Sequence, residues 1–300
     1  MTAPNFRDRI VVGMDASEEA RVAAVWAAQE ATLRGVGLTL VHTVLPPTAA
    51  SSFGPGIPIG LDVLDDLTNR ARAELNAIAA TLPVTDVQAY VEIGSPSGAL
   101  LEASEQAELV VIGSRGQGGF AGLLLGSVGT QVAAHADCPV IVVRGIADPA
   151  AQLVVVGIDG SGNSEAALAF AFDEASRHGW SVIAVHAWDV PAYDLLVVPN
   201  APVPIALSDV ADDEIRLAAE ALAGFEERYP EVDVEQRLVR SAPVPALLDA
   251  AKDAALIVVG SRGHGQVVGA LLGSVSNGVL HRSTIPVAVV PHREPEPSVA

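Results

Sequence analysis

The chain has 300 residues, which at roughly 150 residues per domain suggests two domains. Seventeen basic against 36 acidic residues give a formal net charge of −19, which argues against nucleic acid and anionic membrane as partners. Half of the residues are hydrophobic but only 4% are aromatic, a composition suited to buried aliphatic strands under alanine-rich helices. A single cysteine, Cys138, excludes an intrachain disulfide and does not suggest a multi-ligand metal site. The opening segment MTAPNFRDRI lacks the apolar stretch of a signal peptide, and no apolar run reaches membrane-spanning length, so a soluble cytoplasmic protein is expected.

In chain order, IVVG (10–13) reads as a buried strand, and Ser17 offers an N-cap for a helix over 18–34 that Gly35 ends. Ala20, Ala23, Ala24, Ala27, Ala28 and Ala31 form the packing stripe of that helix. The spacing then predicts a strand at 38–44, a Pro/Gly/Ser-rich segment at 46–60, a helix over 62–81 and a strand at 86–92. A helix over 96–106, a strand at 109–112, a glycine-rich loop, a short helix from about 126 and a strand at 140–143 complete the unit. The chain then repeats itself. VVGMDAS (11–17) returns as VVGIDGS (155–161), and 113–144 aligned with 260–291 gives 16 identities in 32 positions. Strands are expected at 154–157, 182–188, 232–239, 256–259 and 287–290. Two homologous domains, 1–147 and 148–300, follow, with a disordered tail expected from about 292. Alternating strands and helices make each domain a doubly wound α/β unit with a parallel sheet.

Ligands of such sheets bind at the carboxyl ends of the strands, where the candidate residues collect. Asp15 and Asp159 close the first strand of each half, and Gly113-Ser114-Arg115-Gly116 and Gly260-Ser261-Arg262-Gly263 follow the fourth. After nine intervening residues each loop reaches Gly-Ser, at 126–127 and 273–274. From Leu109 to Ala136 there is no carboxylate and Arg115 is the only formal charge; from Leu256 to Arg293 there is again none, over 38 residues of a chain carrying 36 acids. Clearing negative charge so thoroughly points to an anion, which glycine-rich backbone and a helix N-terminus can hold. Ser127 and Ser274 are placed either to cap that helix or to donate to a phosphate. His42 and His186, at the ends of apolar strands, read as packed core histidines rather than bases, and Asp15 has a second reading as a helix starter.

The pattern G-x-x-G, nine residues, then G-S resembles the nucleotide-binding signature of the universal stress protein family, and both copies are complete. The first-strand aspartates and Val-His at 41–42 and 185–186 match the family as well. The resemblance implies two Rossmann-like parallel five-stranded domains that bind ATP, one nucleotide per domain, with Mg2+ as the ion accompanying the phosphates. It assigns the phosphates to Gly113, Ser114, Arg115, Gly116, Gly118, Gly126, Ser127 and Val128 in the first half. In the second half it assigns them to Gly260, Ser261, Arg262, Gly263, Gly265, Gly273, Ser274 and Val275. Gly13, Asp15 and Thr43, and Gly157, Asp159 and Ala187, fall on the nucleoside side.

Neither loop is a Walker A motif, since both lack its lysine, and no base–nucleophile pair recurs. A regulatory protein that retains ATP, with little or slow hydrolysis, is therefore the leading expectation. A slow ATPase and a dinucleotide-dependent oxidoreductase are the alternatives, the latter disfavoured because the first turns carry only GMDAS and GIDGS. The apolar last strands, CPVIVV (138–143) and IPVAVV (285–290), would leave open sheet edges, so pairing through them and a homodimer are expected.

Overall fold

A computed structural model describes residues 5–45, 61–116, 125–145, 148, 150–188, 216, 219, 221–263 and 272–292. The chain divides into two compact units, Met1–Gly145 and Ile146–Ala300. Gly118, Gly265, the Pro-rich segment 46–60 and the expected tail beyond 292 lie outside the described residues.

In the first unit the elements are β1 (Arg9–Gly13), α1 (Glu18–Arg34), β2 (Gly37–Val44), α2 (Leu61–Ala79), β3 (Val87–Ile93), α3 (Pro96–Ser104), β4 (Leu109–Gly113), α4 (Ser127–His135) and β5 (Val140–Val143). Its strands lie in the order β3-β2-β1-β4-β5, and every pair is parallel. Short aliphatic runs buried on both faces, such as Val110 and Val111 at 0% exposure, are what a parallel sheet covered by helices requires. α1 forms where its caps predict. The Ser17 hydroxyl accepts from the Ala20 amide at 3.2 Å, and Gly35 closes the helix in the left-handed conformation at φ 70°. All six alanines of the expected stripe are at most 3% exposed. At the far end of β1, Arg9 is buried along its length. Its Nε donates to Thr39 Oγ1 and its Nη2 to the Leu38 carbonyl, both at 2.7 Å, and Nη1 meets Asp86 Oδ2 at 2.6 Å.

The second unit repeats the order: β6 (Leu153–Ile158), α5 (Gly162–His178), β7 (Ser181–Trp188), a helix α6 described over 221–228, β8 (Val234–Arg240), α7 (Pro243–Ala250), β9 (Leu256–Gly260), α8 (Ser274–Arg282) and β10 (Val287–Val290). Its strands lie in the order β8-β7-β6-β9-β10, again all parallel. The cap pair recurs as Ser161, accepting from Ser164, and Gly179 at φ 68°. The second helix differs in what it buries. Phe172, fully buried on α5, stacks on Phe225 of α6 at 5.4 Å, a pairing with no equivalent among the small residues of the α1 stripe.

One expected boundary moves for a physical reason. The strand expected from 232 begins at Val234, because the Val232 amide is committed to the Tyr229 carbonyl at 3.0 Å in the turn after α6. Its apolar side chain is nonetheless buried, so hydrophobicity alone misplaced the start.

Candidate functional site

Strand order reverses direction between β1 and β4 in the first unit and between β6 and β9 in the second, and the crevice at that switch opens beyond the carboxyl ends of the strands. In the first unit it holds a cavity of about 670 Å³. Gly13, Asp15, Thr43, Gly113, Ser114, Arg115, Gly116, Gly126, Ser127 and Val128, every first-half candidate among the described residues, line it. The second unit has a cavity of about 240 Å³ lined by Gly157, Asp159, Ala187, Gly260, Arg262, Gly263, Gly273, Ser274 and Val275. Ser261 is the exception. It is buried, with its hydroxyl 3.4 Å from Asn163 Oδ1, and does not reach the cavity.

The loop after β4 is closed by its own backbone. The Ser114 amide donates to Val143 of β5 at 3.1 Å, and the Gly126 amide returns to the Ser114 carbonyl at 3.1 Å. Ser261, Val290 and Gly273 repeat the arrangement at 2.8 Å for both bonds. Two glycines of each loop have separate reasons. A Cβ on Gly113 would lie 2.7 Å from the Glu19 backbone and one on Gly260 would lie 2.8 Å from the Asn163 carbonyl, so these positions let β4 and β9 pack against α1 and α5. A Cβ on Gly116 would collide with the Asp15 carboxylate, and one on Gly263 would lie 2.6 Å from Asp159 Oδ2. The second glycine of each loop thus brings backbone against the first-strand acid.

Asp15 orders the start of α1 and also lines the cavity. Oδ1 accepts from the Ser17 amide at 3.1 Å and from its hydroxyl at 2.5 Å, which orders the start of α1, while Oδ2 faces Gly116. Asp159 does the same with Ser161 at 3.0 and 2.6 Å. The turn requires a left-handed residue next. Gly160 fills that position at φ 76° in the second unit, whereas Ala16 is forced to φ 62° in the first.

The capping expectation for the serines is overturned. The N-cap positions of α4 and α8 are Gly126 and Gly273, which have no side chain to offer, and Ser127 and Ser274 are the first helical residues. Neither helix has a side-chain cap hydrogen bond. Two helix N-termini therefore open into the cavities with first-turn N–H groups that no capping side chain satisfies. The histidine expectation holds in part. His186 is buried with Nδ1 2.9 Å from the Ile158 carbonyl, but His42, 2.7 Å from the Met14 carbonyl, is half-buried and lines the cavity.

Two features escaped the sequence reading. Pro96 and Leu100 of α3, and Pro243 and Leu247 of α7, form an apolar wall of each cavity. The repeat Pro-x-x-Ala-Leu-Leu, at 96–101 and 243–248, was the available signal. The cleared charge field is also less empty in space than along the chain. Glu19 of α1 brings a carboxylate to Arg115, Oε1 to Nη2 at 3.2 Å, across 96 residues of sequence. Arg144, at the end of β5, is held below the usual arginine range by burial and by the Arg115 charge.

A pair of doubly wound domains, each with a glycine loop and an uncapped helix N-terminus at its switch point, defines a tandem Rossmann-like protein with a glycine-lined crevice in each domain. The family model described as the universal stress protein family matches residues 7–144 and again 151–291, and the chain belongs to that family. A universal stress protein of Mycobacterium tuberculosis is 40% identical over 302 residues, covering 96% of this chain and 99% of its own. One from Mycolicibacterium smegmatis is 39% identical over 289 residues, covering 94% and 96%. Among solved structures, a universal stress protein from Archaeoglobus fulgidus superimposes with a TM-score of 0.68 at 23% identity, covering 97% of this chain and 98% of that one. None of the described helices is long and apolar enough to cross a membrane.

Proposed function

We propose that this universal stress protein is a regulatory nucleotide carrier that holds one ATP in each domain. The carrying observation is the first-unit cavity, where Gly126-Ser127 at an uncapped helix N-terminus, the Gly113–Gly116 loop and Arg115 share one crevice with Asp15 and Thr43. A cavity of about 670 Å³ is within the usual range for a bound small molecule. The phosphates belong with the N–H groups and the arginine, and the nucleoside belongs on the side of Gly13, Asp15 and Thr43. Gly157, Asp159, Ala187, Gly260, Arg262, Gly263, Gly273, Ser274 and Val275 take the same parts in the second site, with Mg2+ accompanying the phosphates. Ser261 is assigned no ligand contact there.

Retention rather than turnover is the expectation. Asp15 and Asp159 are the only carboxylates among the described lining residues of their cavities, and each already accepts two hydrogen bonds from its serine. Efficient phosphoryl transfer calls for further groups that position metal and water. The dinucleotide alternative needs a glycine fingerprint after the first strand, and the loops here follow β4 and β9 instead. The test is chromatography of the supernatant after denaturing freshly purified protein. Adenosine triphosphate is the expected product; a dinucleotide, or no nucleotide together with no binding of added ATP, would overturn the reading.

A further inference from the structure

The two crevices differ at one position that the duplication makes directly comparable. Gly113 and Gly260 pack against the same point on their helices, and that point is Glu19 in the first unit and Asn163 in the second. Glu19 pairs with Arg115 at 3.2 Å, whereas among the described residues no carboxylate forms an ion pair with Arg262. Both arginines line their cavities. We propose that Glu19 is an internal competitor for the first site: its carboxylate occupies Arg115 until the phosphate groups of a nucleotide displace it, while the second site, with Asn163, is free of such competition. The proposal rests on the ATP reading of the site and adds a residue that regulates occupancy.

The chemistry favours exchange rather than a fixed ion pair. Arg115 and Glu19 are about half and one-third exposed, so the pair is weak and labile in water. Burial first and the Arg115 charge second hold Arg144 below the usual arginine range, so a second positive charge acts on the same region. A polyphosphate would offset that charge more fully than Glu19 while also meeting the α4 N-terminus, so Arg115 has reason to change partners. With the ligand bound, Glu19 would be left as a nearby like charge. Among the described residues no equivalent carboxylate pairs with Arg262.

The experiment is calorimetric titration of nucleotide-free full-length protein with ATP, and separately with inorganic tripolyphosphate. Glu19→Gln should tighten the first site by about two- to fivefold or more, the release of one exposed ion pair. Asn163→Glu, measured in a Gly126→Asp chain so that only the second site is read, should weaken that site by a similar factor. Raising salt should narrow the difference between wild type and Glu19→Gln. Binding of ATP with both variants at wild-type affinity would overturn the competition and leave the ATP reading standing. Failure of wild type to bind either probe would overturn the ATP reading and the competition with it.

Discussion

At the scale of single residues, the duplication supplies an internal control for backbone strain. Ala16 and Gly160 occupy the same left-handed turn after the first-strand aspartate, at φ 62° and 76°. The methyl group costs alanine roughly 1 kcal/mol there, partly offset by the greater unfolded-state freedom of glycine. Ala16→Gly should therefore stabilise the first unit by about 0.5 kcal/mol, and Gly160→Ala should destabilise the second by a similar amount. Urea midpoints of the two variants, moving in opposite directions, are the check. Arg9 provides a second test. Its hydrogen bond to Asp86 holds that carboxyl below the usual aspartate range. A lowered folded value means the increment is fully present above the ordinary aspartate value and is lost as pH falls through the folded one. Asp86→Asn should cost about 1 kcal/mol at neutral pH, a figure kept small because the Asp86 side chain is 60% exposed. Denaturation curves taken from pH 5 downward should show wild type losing its advantage over Asp86→Asn.

At the scale of elements, most of the architecture is legible in the sequence because the elements are short, strongly patterned and written twice. α1 is readable from Ser17 to Gly35 because both caps use residues whose conformational preference is local. The site was readable only in part. Glycines at matched spacing marked the loop, but the partition of their roles was hidden: Gly113 is a packing contact with α1, which depends on a helix some 94 residues earlier. Of the two readings of Ser127, the capping one fails: serine is the better capping residue, yet the chain places Gly126 at the N-cap of α4. That choice yields a clear prediction. A Cβ at Gly126 would meet no atom of the described residues within 4 Å, and its φ of −73° and ψ of 161° suit aspartate at an N-cap. Gly126→Asp should cap α4 and leave the melting temperature equal to or above that of wild type. The same carboxylate would occupy the N–H groups proposed for phosphate and repel it. Charge-assisted hydrogen bonds contribute roughly 1.5–3 kcal/mol each, so ATP affinity at the first site should fall at least ~100-fold. Wild-type affinity in a normally folded variant would sink the phosphate assignment.

At the scale of the whole molecule, the net charge of −19 opposes a polyphosphate ligand at long range. Screening resolves the conflict, because at physiological salt charges more than about 8 Å away contribute little and the immediate surroundings of each crevice decide. Those surroundings contain Arg115 or Arg262, a helix N-terminus and few acids, and the duplication sets them out twice. The chain should therefore bind two nucleotides. The cavities of about 670 and 240 Å³ and the Glu19/Asn163 difference predict two sites of unequal affinity. Saturation of one site at 100 times its Kd stabilises the folded state by roughly 2.7 kcal/mol. Thermal shifts with ATP should therefore fall stepwise from wild type to Gly126→Asp, and vanish when Gly273→Asp is added. Gly273 is more confined than Gly126, with backbone 3.2 Å from its would-be Cβ, so the second substitution must be judged against its own ligand-free melting curve. Calorimetric stoichiometries of two, one and zero across the series are the expected result. A wild-type value of one would show that one copy of the glycine loop serves the fold alone.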